Sequence, residues 1–173
     1  LTEVNHHEAL PILHIDEPTL QMTFGVNTSP FSGKDGKILT SRKIGERLFK
    51  ETQRDVSLKV EQIDSESFMV LGRGELHLSI LIENMRREGF ELEVSKPKVI
   101  IKEINGVKCE PYEDLQIEIT DEYMGGVFEE LSQRGAIMGN MTHLGNLIRI
   151  NYEIPSRGLI GFPTNFMTLT KGY

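Results

Sequence analysis

The sequence is poor in the residues on which disulfides, cysteine-rich metal sites and membrane anchors depend. It holds one cysteine, Cys109, which excludes an intrachain disulfide and any multi-cysteine zinc site and suits a reducing compartment. No apolar run approaches bilayer length, the nearest being Leu78 to Ile82. No charged, apolar, small-residue signal opens the chain, so a soluble protein with no membrane partner is expected. Methionine is missing from the first position, where Leu1 stands, and the sequence therefore reads as a piece of something longer. Positive charge is scarce: 19 Lys/Arg against 26 Asp/Glu give a net charge of −7, which argues against nucleic-acid binding through bulk charge.

Catalytic and phosphate-binding motifs are missing too. A nucleotide loop needs a spaced glycine run ending in Lys and Ser/Thr. Gly33-Lys34-Asp35 and Gly36-Lys37-Ile38 lack both the hydroxyl and the upstream glycine. His7-Glu8-Ala9-Leu10 opens like a zinc-protease helix, but Pro11 occupies the place of the second histidine and interrupts the helix that would align two ligands. Adjacent His6 and His7 project in different directions and make a poor metal pair. Cys109 sits between Lys108 and Glu110 with no histidine close in sequence, so an inert thiol is the better reading. Glu83, Glu88, Glu129 and Glu130 fall on polar helix faces, and His77 is expected to pack or hydrogen-bond at a helix start. No catalytic, cofactor-binding or metal-ligating residue is assigned.

What is present is a repeated order of elements. After an irregular lead-in over residues 1–18, Leu20, Met22, Phe24 and Val26 alternate as a strand. A Pro/Gly/Asp-rich loop, Ser29 to Leu39, precedes a helix from Arg42 to Arg54 capped by Thr40 or Ser41. Val56–Gln62 and Ser67–Leu71 read as a hairpin, and a helix with Leu78, Leu81, Ile82 and Met85 on one face ends at Arg86-Arg87 with Gly89 beyond. Phe90–Val94 alternates again, which completes β-α-β-β-α-β over residues 19–96.

A connecting strand, Val99–Ile104, opens the second unit, residues 97–173. The order restarts with a strand at Leu115–Ile119 and a helix from Asp121 closed by Arg134-Gly135. A hairpin turns around Leu144-Gly145-Asn146, and a helical stretch runs from Leu159 to Thr170. Arg73-Gly74 and Arg157-Gly158 lie 84 residues apart, each before the second helix of its unit. The same offset puts the counterpart of Phe90–Val94 immediately beyond Tyr173. The fold expected is α+β: two tandem ferredoxin-like (split β-α-β) sandwiches, the second lacking its last strand and so exposing a sheet edge.

One charged feature survives this weighing. From Phe31 to Lys59 eight Lys/Arg face four acids, a net +4 inside a chain of −7, which leaves −11 for the rest. Lys43, Arg47, Lys50 and Arg54 recur at helical spacing on one face, with Arg42, Lys34 and Lys37 close in sequence. Such a stripe suits RNA phosphates. It equally suits a solvated face on which Glu46 and Glu51 supply local ion pairs.

Several contiguous motifs resemble a known family. Gly72-Arg73-Gly74-Glu75-Leu76-His77-Leu78 resembles the G-x-G-E-L-H-L signature in the third domain of elongation-factor-G-like translational GTPases. IENMRREGFELEVSKPKVI (Ile82 to Ile100) and DEPTLQMTFGVNTSPFSGKDGK (Asp16 to Lys37) resemble the BipA, or TypA, family within that group. EPYEDLQIEI and IPSRGLIGFPTNFMTLTKG (Ile154 to Gly172) resemble its fifth-domain-like module, with Pro163 standing where the family usually has a basic residue. A proline there would kink or restart the helix near Phe162.

The resemblance implies a cytoplasmic, ribosome-associated GTPase of ribosome assembly and stress adaptation. Its GTP and Mg would bind a GTPase domain preceding Leu1, and its own C-terminal domain would follow Tyr173. This stretch would be a non-catalytic, ribosome-docking portion, with ribosomal RNA, ribosomal proteins and the absent domains of the same chain as partners. Two rivals remain. A corresponding piece of elongation factor G is opposed by the IENMRREG and RGLIGF stretches. A small free-standing ferredoxin-like enzyme, such as a phosphatase, would need a phosphate-cradling loop with adjacent Arg and Asn.

Overall fold

Alternation of apolar side chains sets the first sheet. The computed structural model describes residues 17–172; the lead-in, except for residues 17 and 18, and the His6/His7 pair lie outside the described residues. β1 (Leu20–Gly25) buries Leu20, Met22 and Phe24 on one face, as its period of two requires. α1 (Ser41–Thr52) follows the loop and buries Ile44, Gly45 and Leu48. Its Thr40 N-cap makes no side-chain capping bond. β2 (Lys59–Gln62) and β3 (Ser67–Gly72) form the expected hairpin, and β3 buries Phe68 and Val70.

α2 (Glu75–Arg87) buries Leu78, Leu81 and Met85. It stops where Gly89 adopts φ +90°, so that the Gly89 and Phe90 amides reach back to the Arg86 and Met85 carbonyls at 2.9 and 3.0 Å. That paired C-terminal closure needs a residue in the left-handed region, which glycine supplies without strain.

β4 (Glu93–Val94) and β5 (Lys98–Val99) both pair with β1, end to end along one edge, giving the order β2-β3-β1-β4 with every pairing antiparallel. This is the split β-α-β sandwich, with both helices contributing to a single core on one face of the sheet. Two expectations are corrected here. The strand expected over Phe90–Val94 shrinks to its last two residues, because Ile38 forms an isolated bridge to Phe90 and its carbonyl takes the Glu91 amide at 3.1 Å. The connecting strand expected over Val99–Ile104 is split. Lys98–Val99 joins the first sheet, while β6 (Lys102–Ile104) turns back on β7 (Val107–Cys109). The turn is Asn105-Gly106, with φ +53° and +77°, a two-residue hairpin signal present in the sequence.

In the second sandwich β8 (Tyr112–Ile119) and α3 (Asp121–Gln133) precede the hairpin of β9 (Ile137–Leu144) and β10 (Leu147–Pro155). The sheet order is β8-β10-β9. These positions match those of β1, β3 and β2 in the first sheet. The outer edge of β8, where the fourth strand of such a sandwich would pair, carries no strand among the described residues. Ile117, Ile119, Val127, Leu131, Ile148, Ile150, Ile154 and Phe162 make the core. The helix expected from Leu159 to Thr170 is instead two: α4 (Ser156–Leu159) and α5 (Phe162–Leu169). Gly161 at φ +73° separates them and Pro163 lies in the first turn of α5, where its missing N–H breaks no helical bond.

That break is also where the two sandwiches meet. Ile160 packs against the first core, and the Gly161 amide donates to the Glu75 carboxylate at 2.7 Å. Arg134 holds the bend from the other side, donating to the Gly158 and Ile160 carbonyls at 2.7 and 2.9 Å and to Glu130 at 2.7 Å.

α1 packs tightly on the sheet at Gly45, where a Cβ would fall 2.6 Å from the Phe68 ring. Gly45→Ala should therefore destabilise the first sandwich by about 1–3 kcal/mol in chemical denaturation. An unchanged midpoint would show that Phe68 yields freely.

Candidate nucleic-acid interface

The seven candidate cations receive different treatment from the fold. Arg47 turns inward. Its Nε and Nη2 donate to the two carboxylate oxygens of Glu88 at 2.6 and 2.7 Å, its Nη1 donates to Glu51, and its side chain is only 12% exposed. This fork clamps α1 to the C-terminal turn of α2. Glu88 chiefly, and Glu51 with it, hold the guanidinium above the ordinary arginine value against the opposing effect of burial, and Arg47 in turn holds Glu88 below the usual carboxylate range. Arg42 pairs with Glu46 at 2.9 Å, but both side chains are well exposed, and such a surface pair is worth at most about 1 kcal/mol. The local-ion-pair reading thus describes Arg42 and Arg47. Lys43, Lys50 and Arg54 are exposed, and among the described residues their side chains form no ion pair.

Lys34 and Lys37 belong to a loop whose shape is fixed by one carboxylate that the sequence reading overlooked. Glu91 is 7% exposed. Its Oε1 accepts the Gly33 amide at 2.8 Å and the Asn27 side-chain amide at 2.7 Å, and its Oε2 accepts the Asp35 and Gly36 amides at 2.9 and 3.0 Å. Gly33, at φ +87°, and Gly36, where a Cβ would fall 2.8 Å from Glu91, let the backbone wrap this closely. The loop is an anion nest already filled from within. The Gly33 amide first, then Asn27 and the other two amides, draw the Glu91 carboxyl down to about 2 despite desolvation. The Lys37 and Ile38 amides both donate to the Gly89 carbonyl at 3.0 Å, one residue beyond the Glu88 that grips Arg47. Loop and α1 are thereby gathered at the same end of α2.

At the loop apex Phe31 is 64% exposed, with the Lys34 ammonium 4.6 Å from its ring centroid. The sequence did not single out this ring; its only signal was an aromatic inside the one basic stretch.

His77 is structural, as its place at a helix start suggested. Its Nδ1 accepts the Arg73 amide at 3.3 Å, so Nε2 carries the proton that it donates to Asp55 at 2.6 Å. Asp55 also accepts from the Ser57 amide at 2.9 Å and from its hydroxyl. Nε2 thus ties α2 to the turn before β2, and Nδ1 ties it to the loop that enters the helix. No group of three or more metal-ligating side chains gathers among the described residues.

Two tests follow from this geometry. Arg47→Ala should cost about 2 kcal/mol of stability, the scale of a charged hydrogen-bonded partner lost, whereas Lys50→Ala should stay within about 0.5 kcal/mol; urea melts of the two variants measure the difference. Glu91 has a folded-state value lowered to about 2 from 4.5. Its contribution to stability is present above the unfolded value and is lost as pH falls from about 4.5 towards 2. Glu91→Gln should be less stable than the parent at pH 7, and the gap should narrow over that window in an acid titration of unfolding.

Known proteins share both sequence and fold with this chain. The model described as Elongation factor G C-terminus matches residues 107–173. Proteins named Large ribosomal subunit assembly factor BipA are 58% identical over 98% of this chain in Bacillus subtilis, 56% over 95% in Escherichia coli K12 and 53% over 99% in Haemophilus influenzae. In each case the chain spans 28% of the relative's length. A crystal structure from Thermus thermophilus aligns over 99% of this chain and 41% of its own at a TM-score of 0.54 and 17% identity, a likeness of fold alone. With more than half of its residues shared along nearly its whole length, the chain belongs to the BipA (TypA) family and corresponds to a part of those proteins.

Proposed function

We propose that this chain is a ribosome-docking, non-catalytic portion of a BipA-type translational GTPase, acting in the cytoplasm. We assign its RNA contacts to the open side of α1 and the loop before it. Lys43 and Lys50 on the helix, Arg54 just beyond its end, and Lys34 and Lys37 on the loop would meet ribosomal RNA phosphates, with Arg42 able to leave its exposed partner and join them. Arg47 would act as the clamp that positions this surface.

The observation that carries the reading is the segregation of charge. Three of the four acids in the +4 stretch, Glu46, Glu51 and Asp55, are drawn into internal contacts, while Lys43, Lys50 and Arg54 are exposed and form no ion pair among the described residues. Relatives named for assembly of the large ribosomal subunit make that subunit the partner proposed. GTP and Mg would belong to parts of the relatives that this chain does not span. The filled nest supports that assignment, since a phosphate could enter the glycine loop only by displacing Glu91.

Combined Lys43→Glu, Lys50→Glu and Arg54→Glu changes should weaken co-sedimentation with large subunits and lower the salt slope of binding by about 2–3. Binding unchanged across the salt series would sink the assignment and return the stripe to a solvated face.

A further inference from the structure

A single exposed aromatic needs no explanation. Phe31 differs in how it is held. Asn27 Oδ1 accepts the Ser29 amide at 3.0 Å, Ser29 Oγ accepts the Phe31 amide at 3.3 Å, and the Ser29 carbonyl takes the Ser32 amide at 3.1 Å. Two residues on, the chain is gripped by Glu91 through three successive contacts. The ring therefore stands on a loop braced at both feet, with 64% of its surface in solvent. A cation lies across it, and the stretch that carries it is the positively charged part of an acidic protein.

We propose that Phe31 is a stacking platform for an unpaired RNA base, with Lys34 and Lys37 holding the phosphates on either side of that nucleotide. The inference rests on the ribosome-docking reading and names the chemistry recognised at one end of that surface. Stacking on an aromatic face accepts any base, because every base presents a π-face, and it selects single-stranded over duplex RNA, where the faces are already covered. The backbone nest cannot serve the phosphates, since Glu91 fills it, so the lysine side chains must. Lys34 over the ring adds a cation against the stacked pair. Bracing matters because a loop backbone fixed in advance loses little freedom when the base arrives.

The chain contains no tryptophan, so Phe31→Trp creates a single indole reporter at the proposed platform. Titrated with a single-stranded ribo-oligonucleotide of about eight nucleotides, this variant should show saturable quenching of its fluorescence, and a duplex of the same sequence should quench far less. Phe31→Ala should weaken oligonucleotide binding roughly 5–100-fold without altering the salt slope. Lys34→Gln with Lys37→Gln should instead flatten that slope by about 1.4.

Absence of quenching, together with equal oligonucleotide affinity of the parent and Phe31→Ala, overturns the proposal. Co-sedimentation of Phe31→Ala with large subunits separates the two readings. If it binds as the parent does while the triple charge reversal does not, docking stands and stacking falls. If it loses large-subunit binding but oligonucleotides leave the tryptophan variant unchanged, the ring meets a protein surface and the RNA platform is equally overturned.

Discussion

The placement of the basic surface depends on the Glu91 carboxylate. Three loop amides point inward because this carboxylate accepts them, and the loop's path depends on Gly33 for its positive φ and on Gly36 for the absence of a side chain that would clash with Glu91. With the loop so fixed, Lys37 and Ile38 dock on the Gly89 carbonyl, and α1 begins three residues after Ile38 at a set distance from α2. The Arg47 fork then closes on Glu88, beside the same glycine. One buried negative charge thus organises a surface of positive ones. A hydrogen-bonded carboxylate suits this task better than a bound anion would, since it is covalently part of the chain and cannot be lost by dilution.

A second carboxylate does comparable work between the sandwiches. Glu75 stands in the first turn of α2 and accepts the Gly161 amide at the start of α5. The motif Gly74-Glu75-Leu76 of the first sandwich and Leu159-Ile160-Gly161 of the second therefore meet in space, although each reads in sequence as a helix boundary of its own unit. Ile160 crosses to the first core, and Arg134 rigidifies the bend that presents it. Units of this size bury modest surface alone, and the junction gives each some of the other's support. It also fixes where the basic face of the first sandwich lies relative to the second.

The sequence revealed features that depend on neighbours a few residues apart. Alternation in Leu20–Phe24, the stripe Leu78–Met85 and the helix stops at Gly89 and Gly135 are local patterns with local causes, and they appear where the periodicity placed them. The doubled order of elements followed from them. What stayed hidden involves pairing across long separations. Nothing near Glu91 marks it as the partner of amides 55 to 58 residues earlier. Arg47 shares the spacing of Lys43 and Lys50, and only the proximity of Glu88, 41 residues on, removes it from the open face. The Asn105-Gly106 hairpin is the exception, since its signal was local and was obscured by reading residues 99–104 as one strand.

The same long-range pairing explains how a protein of net −7 can present a cationic face. Surface charges farther apart than about 8–10 Å are largely screened from one another at physiological salt, so what a polyanion meets is the local balance. In the stretch from Phe31 to Lys59, Glu46 and Glu51 lie against Arg42 and Arg47, and Asp55 is held by His77 and Ser57. Three of the four acids are thus engaged by local partners, and the excess positive charge is carried by Lys34, Lys37, Lys43, Lys50, Arg54 and Lys59. The remaining −11 lies elsewhere in the chain and repels a polyanion from other approaches. Against an acidic whole, the cations of α1 and of the loop before it form a local excess of positive charge on the first sandwich.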